Sequence, residues 1–264
     1  MPPDIGEYIR SLKQSDTLGA QVAHHFIEPA QPAILAEPRR PWPPAVAALI
    51  EALGIGGLYR HQARAIDHLR AGKHVVVATP TASGKTLIFT LPILEDWLQH
   101  PAACTLAVFP LKAPAQDQLR AFSAVASRLP QNGPTAGIYD GDTPAGERKK
   151  IRERIPNLLL TNPEMLHLAL LPHHRQWTEF FENLRFVVID EVHAYRGVVG
   201  THMALLLRRL QRVCERYGSR PVFVFCSATV SNPGAFVQAL SGLQVETVDE
   251  NAAPRGRRHL VLMD

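Results

Sequence analysis

Two short runs of this sequence carry the residue types needed to handle a phosphate chain and its metal. The first, TPTASGKT at residues 79–86, interrupts an apolar stretch that starts at residue 74 and resumes after Thr86. Backbone N–H groups at a helix start that follows a strand attract phosphate oxygens. Lys85 would place a point charge on the β- and γ-phosphates, and Thr86 would offer a hydroxyl to Mg²⁺. The loop departs from the usual pattern, because Thr79 stands where a first glycine is common and Ala82 where another often sits. We read Thr81, Ala82, Ser83, Gly84, Lys85 and Thr86 as the binding loop, with the phosphates resting on the backbone from Ala82 to Thr86. The second run, FVVIDEVH at residues 186–193, ends a strand-like apolar stretch in two adjacent acids. Asp190 could hold Mg²⁺ through water, and Glu191 could polarise an attacking water. Such a pair at a strand end is costly unless a cation compensates it. A third run, Ser227-Ala228-Thr229, follows another apolar stretch, and its hydroxyls could hydrogen-bond those acids.

The elements that must position these residues alternate along the chain. Short β-branched runs occur at 74–79, 105–109, 135–139, 157–160, 186–190, 222–226 and 245–248. Helix-length stretches lie between most of them, at 113–128, 147–154, 164–170 and 201–216. Strand and helix taking turns predicts an α/β fold, a mostly parallel central sheet with helices on both faces. Helices are also expected at 45–53, stopped by Gly54, Gly56 and Gly57, and at 60–70, closed by Gly72. Asn232-Pro233 reads as a helix cap with proline at the first position. One α/β domain accounts for residues 45–252. Residues 1–44 are proline-rich and are expected to form an extended arm after a short helix around 5–13. Residues 253–264 read as the start of a linker and the opening strand of a further domain.

The net charge of +4 and pI near 9.1 fit a nucleic-acid partner without requiring one. Three cysteines, Cys104, Cys214 and Cys226, are widely spaced within apolar patterns and form no Cys-x-x-Cys pair. That excludes a zinc knuckle and a disulfide framework, and points to buried thiols in a reducing, cytoplasmic setting. No apolar run approaches the ~18 residues that cross a bilayer, so no membrane partner is expected. Arg208, Arg212 and Arg216 recur on one helix face, and ERKKIRER at 147–154 mixes both signs; both clusters read as solvated.

Gln62, TASGKT, DEVH and Ser-Ala-Thr occur in the order and rough spacing of superfamily 2 helicases. With LYRHQ, YDGDTP and DEVHAYRGVVGTHMALLLRRL, the chain most resembles the bacterial and fungal repair-associated DNA helicases related to the fourth RecQ type. The resemblance covers residues 45–264. It implies a RecA-like fold, ATP and Mg²⁺ as cofactors, and a nucleotide held against a second RecA-like domain lying outside this chain. It also implies single-stranded or partly duplex DNA as the partner. Within LYRHQ, Tyr59 and Gln62 would recognise the adenine. His193, with Ser227, Ala228 and Thr229, would couple hydrolysis to the neighbouring domain. The nucleic-acid backbone would be gripped by Lys112, Ala113 and Gln116 in PLKAPAQDQLR, by Gly141 and Asp142 in YDGDT, and by Thr161, Asn162 and Pro163 in TNPEML. Pro114 replaces the Leu or Ala frequent in relatives and removes one backbone donor. An RNA-remodelling helicase fits the same motifs. A phosphate-loop phosphotransferase explains Lys85 and Thr86 but not DEVH or Ser-Ala-Thr, and a non-catalytic relic has no need of Lys85, Asp190 and Glu191 together. Residues 1–264 alone are expected to bind nucleotide weakly and to unwind nothing.

Overall fold

The apolar runs resolve, in the computed structural model, into nine strands among the described residues, 4–129 and 133–264. They are β1 (Val22–Glu28), β2 (Val75–Ala78), β3 (Cys104–Val108), β4 (Ala136–Ile138), β5 (Leu158–Thr161), β6 (Leu184–Ile189), β7 (Val222–Ser227), β8 (Glu246–Val248) and β9 (Arg258–Met263). The helices are α1 (Ile5–Gln14), α2 (Pro44–Ala52), α3 (Arg60–Arg70), α4 (Lys85–Gln99), α5 (Lys112–Ala126), α6 (Ala145–Glu153), the single turn α7 (Pro163–Met165), α8 (Thr178–Glu182), α9 (Gly197–Arg216) and α10 (Pro233–Ser241). The chain divides into two compact units, one of residues 35–252 and one joining the N-terminal residues up to 34 with residues 253–264.

In the larger unit the seven strands β2 to β8 form one sheet in the order β4-β5-β3-β6-β7-β2-β8, and every pairing is parallel. Side chains alternate across it, as the two-residue period of a strand requires. Leu106 and Val108 of β3, Val187 and Ile189 of β6, and Phe223 and Phe225 of β7 face α8, α9 and α10. Ala107, Val188, Val224 and Cys226 face the other way, toward α3, α4 and α5. Both faces are therefore covered, which explains why these strands read as unbroken apolar runs. All three cysteines are buried free thiols, and burial pushes Cys104 up to about 12.

The strands expected from the sequence all form, within two residues at each end. Three features differ. Residues 35–44, expected in the arm, belong to the larger unit. Ala36 donates to the Leu58 carbonyl, Trp42 packs with the apolar cluster around Ile66, and Pro44 opens α2 as its first residue. The helix expected at 164–170 is one turn, α7, that widens into a π-helical turn over Leu166–Leu170. The arm and tail are not merely extended. β1 and β9 pair antiparallel, from Val22 opposite Met263 to Glu28 opposite Arg258, so the tail strand finds its partner within this chain. The helix expected near 5–13 forms as α1, capped by the Asp4 side chain; residues 1–3 of the arm lie outside the described residues.

An ion pair fastens α3 to α4. Arg70 donates to both carboxylate oxygens of Glu95, at 2.7 and 3.1 Å, and both side chains are only 6% exposed. The guanidinium also lies 3.8 Å over the Trp42 ring and donates to the Arg40 carbonyl, tying residues 40–42 to the end of α3. Removing one partner would strand the other charge in the interior. Glu95→Ala is expected to lower unfolding free energy by about 3–5 kcal/mol, read from urea denaturation.

Candidate nucleotide and nucleic-acid site

Because β2, β6 and β7 run parallel and adjacent, the three chemistry-bearing runs leave the sheet at one edge. The loop after β2 turns through two left-handed residues, Ala82 at φ +62° and Gly84 at φ +79°. Gly84 is required for a further reason: a Cβ there would lie 2.4 Å from the Gln62 amide nitrogen. Thr79 fits in place of glycine because its side chain turns inward. It is fully buried and its hydroxyl is 2.7 Å from that of Ser83. The Lys85 ammonium donates to the carbonyls of Thr79 and Pro80, at 2.8 and 3.0 Å, so it lies over the loop. Thr81 and Ala82 are exposed at its tip.

Two residues of LYRHQ brace this loop. Gln62 is buried; its carbonyl oxygen accepts from Tyr59 N–H at 2.8 Å and its amide donates to the Gly84 carbonyl at 2.9 Å. Gln62 thus shapes the loop as well as standing near it. His61, which sequence reasoning passed over, does the same from the next position. Its Nδ1 accepts from Ala252 N–H, so Nε2 carries the proton and donates to the Ser83 carbonyl at 3.0 Å. Burial lowers its pKa and keeps it neutral, and its ring stacks on Tyr59. Adjacency to Gln62 was the available signal.

Asp190 follows β6 and is anchored by its own N–H donating to the Val108 carbonyl. Its Oδ1 accepts from Glu191 N–H at 2.9 Å. Burial pushes the Asp190 carboxyl above the ordinary range, and the Glu191 charge adds to the rise; the Glu191 N–H and the nearby Lys85 charge pull it down. The Lys85 charge is thus near enough to Asp190 to act on it. Thr86 and Asp190 supply a hydroxyl and a carboxylate, hard oxygen donors that suit Mg²⁺ with water and phosphate oxygens completing its shell. Among the described residues no group of three or more His, Cys, Asp or Glu side chains could hold a metal, so a softer ion has no cage here. Glu191 itself sits at φ +49°.

The Ser-Ala-Thr run does not reach the acids directly, contrary to expectation. Ala228 N–H donates to His193 Nδ1 at 3.2 Å, the Ser227 hydroxyl is 3.5 Å from the same nitrogen, and that nitrogen is 3.3 Å from Glu191 Oε2. His193 stands between the two runs.

The other half of the edge carries the turns expected to meet nucleic acid. They follow β3, β5 and β4, three neighbouring strands. Lys112, Ala113 and Gln116 are exposed on the first turns of α5, and Lys112 pairs with Asp142 at 2.6 Å. The turn with Gly141 and Asp142 is closed by Asp140, whose Oδ1 accepts from the N–H groups of Asp142 and Thr143. Arg148 and Arg152, expected in solvent, turn inward instead. Arg148 donates to the Asp140 and Gly141 carbonyls, and Arg152 to the Tyr139 hydroxyl. Thr161 is buried and its hydroxyl donates to the Tyr139 carbonyl, so it holds the turn rather than facing a phosphate. Asn162 caps α7 through Met165 N–H, with Pro163 at the first position.

The sequence pattern of the DEAD/DEAH box helicases matches residues 59–236. The chain is 42% identical to the uncharacterized ATP-dependent helicase YprA of Bacillus subtilis over 267 residues, covering 97% of this chain and 34% of YprA. It is 36% identical to the ATP-dependent helicase HRQ1 of Saccharomyces cerevisiae, covering 98% of this chain and 24% of that protein. The crystal structure of the DUF1998 helicase MrfA bound to DNA and AMPPNP superposes with a TM-score of 0.92 at 39% identity, over 98% of this chain and 36% of MrfA. The chain thus spans about a quarter to a third of the length of these relatives.

The raised Asp190 pKa has a stability consequence in the nucleotide-free protein. The folded state holds that proton to higher pH than the unfolded chain does, so ionising it costs stability as pH rises from the ordinary value near 3.8 through the folded one. Asp190→Asn is expected to raise the melting temperature at pH 7, with the gain shrinking as pH falls toward that ordinary value. Thermal melts of both proteins across the range read it directly.

Proposed function

The chain belongs to the DEAD/DEAH box helicase family, and we propose that its larger unit is the ATP-binding motor domain of a DNA helicase or translocase with a role in DNA repair. One observation carries this reading: the nucleotide loop and acids after β2, β6 and β7 share a sheet edge with the exposed turns after β3, β4 and β5. A domain so built holds fuel and track side by side. The likeness to MrfA, solved with DNA and AMPPNP, favours DNA over RNA as the track. Burial of all three thiols as free cysteines fits a reducing, cytoplasmic compartment, and no described helix is long and apolar enough to cross a membrane.

In this reading the loop from Ala82 to Thr86 cradles the triphosphate, and Lys85 leaves the Thr79 and Pro80 carbonyls to meet the β- and γ-phosphates. Thr86 and Asp190, the latter partly through water, would hold Mg²⁺, which when bound would supply positive charge against that developing on the phosphates. Glu191 orients and deprotonates the attacking water. His193 relays the state of Glu191 to Ser227 and Ala228, and from there to a second RecA-like domain that completes the motor. Lys112, Ala113, Gln116, Gly141, Asp142, Asn162 and Pro163 hold the strand by its backbone, which makes binding sequence-tolerant and salt-sensitive. The Lys112–Asp142 pair would open so that the ammonium can meet a phosphate.

Glu191→Gln separates binding from chemistry. In the full-length protein its affinity for AMPPNP with Mg²⁺ should match the wild type, while ATP turnover in the presence of single-stranded DNA drops at least ~100-fold. Lys85→Ala should instead lose the affinity. Unchanged turnover in the glutamine variant would remove Glu191 from the water-activating role, and stimulation by RNA but not by DNA would overturn the choice of track.

A further inference from the structure

α5 reaches both halves of the edge. Its first residue, Lys112, carries the exposed ammonium paired with Asp142, and Ala113 and Gln116 follow on its first turns. Six residues beyond Lys112, ~9 Å along the axis, Gln118 is half-buried and turns the opposite way. Its Nε2 donates to the Thr86 hydroxyl at 3.2 Å, linking α5 to the first turn of α4. Among the described residues this is the one side-chain hydrogen bond of Thr86.

We propose that Gln118 is a positioning residue that orients the Thr86 hydroxyl for Mg²⁺ and makes that orientation depend on the nucleic-acid strand held by α5. The inference rests on the reading of Thr86 as a metal ligand given above. A hydroxyl has one hydrogen and two lone pairs. With the amide N–H on one lone pair, the hydroxyl rotor is narrowed from three positions to two, and the second lone pair and the hydrogen are left for the metal and a carboxylate. Without Gln118 the rotor is free to turn its hydrogen toward the cation, an orientation that must be undone before the oxygen can ligate. The lever is short and stiff, because Lys112 and Gln118 lie within two turns of one helix. A strand that pulls on the start of α5 moves the amide over Thr86.

The test measures AMPPNP binding by the 264-residue chain, with Mg²⁺ and with EDTA, each with and without a poly-dT oligonucleotide. Gln118→Leu removes the donor; Gln118→Glu keeps the size and reverses the hydrogen bond. Both variants are expected to lose about fivefold in affinity when Mg²⁺ is present. The leucine variant should equal the wild type in EDTA, and neither variant should respond to the oligonucleotide any longer. A role confined to packing would weaken binding equally with and without the metal, and that result overturns the proposal. So does a variant with wild-type dependence on Mg²⁺ and oligonucleotide. If the leucine variant melts early, the response of the glutamate variant, which fills the same volume, to the oligonucleotide decides the matter. Failure of the full-length protein to bind AMPPNP with Mg²⁺ would sink the motor reading along with this one.

Discussion

Parallel pairing of β6 and β2 to either side of β7 is the constraint on which the rest depends. It places Ile189 opposite Phe225, and Ala78 opposite Ser227. β2 and β7 thus end level with each other and β6 two residues short of them, so the residues just past those ends, Thr79, Asp190 and Ala228, leave the sheet at one edge. None of the three could be moved by changing its own loop alone. The pairing is held by side chains that alternate between two apolar layers, so a one-residue slip in any strand would turn its whole set to the wrong layer. Chemistry at the edge is therefore fixed by packing in the interior, and the price of an altered core residue would be read out in nucleotide handling.

Strain marks the same edge. Among the described residues the non-glycine positions with positive φ are Ala82, Glu191 and Asn232, and each lies in a connection that leaves β2, β6 or β7. A left-handed non-glycine residue costs of order 1–2 kcal/mol. At Ala82 the turn aims the following N–H groups along the start of α4. At Glu191 it sends the chain away from the strand direction at once, so that the carboxylate stands beside Asp190 rather than continuing over the sheet. Gln62 and His61 supply the compensation on the β2 side, since both bond loop carbonyls that would otherwise be unmet in a buried setting.

Much of this was legible in the sequence, for local reasons. The sheet strands are buried on both faces and so read as plain apolar runs, and the loop chemistry sits in contiguous motifs. What stayed hidden was non-local. β1 and β9 are separated by more than two hundred residues, and neither half alone signals a strand with a partner. Trp42 looked like part of a proline-rich arm because its partners, Arg70 and beyond it Glu95, lie far along the chain. Arg148 looked solvated because helix spacing shows which residues share a face but not that Tyr139 and the Gly141 turn lie against it. Thr161 carried a hydroxyl suited to phosphate, and only the geometry shows that the Tyr139 carbonyl already takes it.

The link between the acids and Ser-Ala-Thr shows how one atom decides a pathway. The sequence suggested that hydroxyls of that run bond the carboxylates. Instead His193 Nδ1 is shared between Ala228 N–H and the Glu191 carboxylate. A ring nitrogen that accepts from Ala228 has no hydrogen to give Glu191, and one that donates to Glu191 has no lone pair for Ala228. The two contacts exclude each other as hydrogen bonds, so any change in charge around Glu191 bears on whether the turn after β7 stays tied to His193. A direct bond from hydroxyl to carboxylate would allow no such choice, since a hydroxyl can donate and accept at once. Through the one hydrogen that this nitrogen does or does not carry, His193 bonds either the turn after β7 or the Glu191 carboxylate.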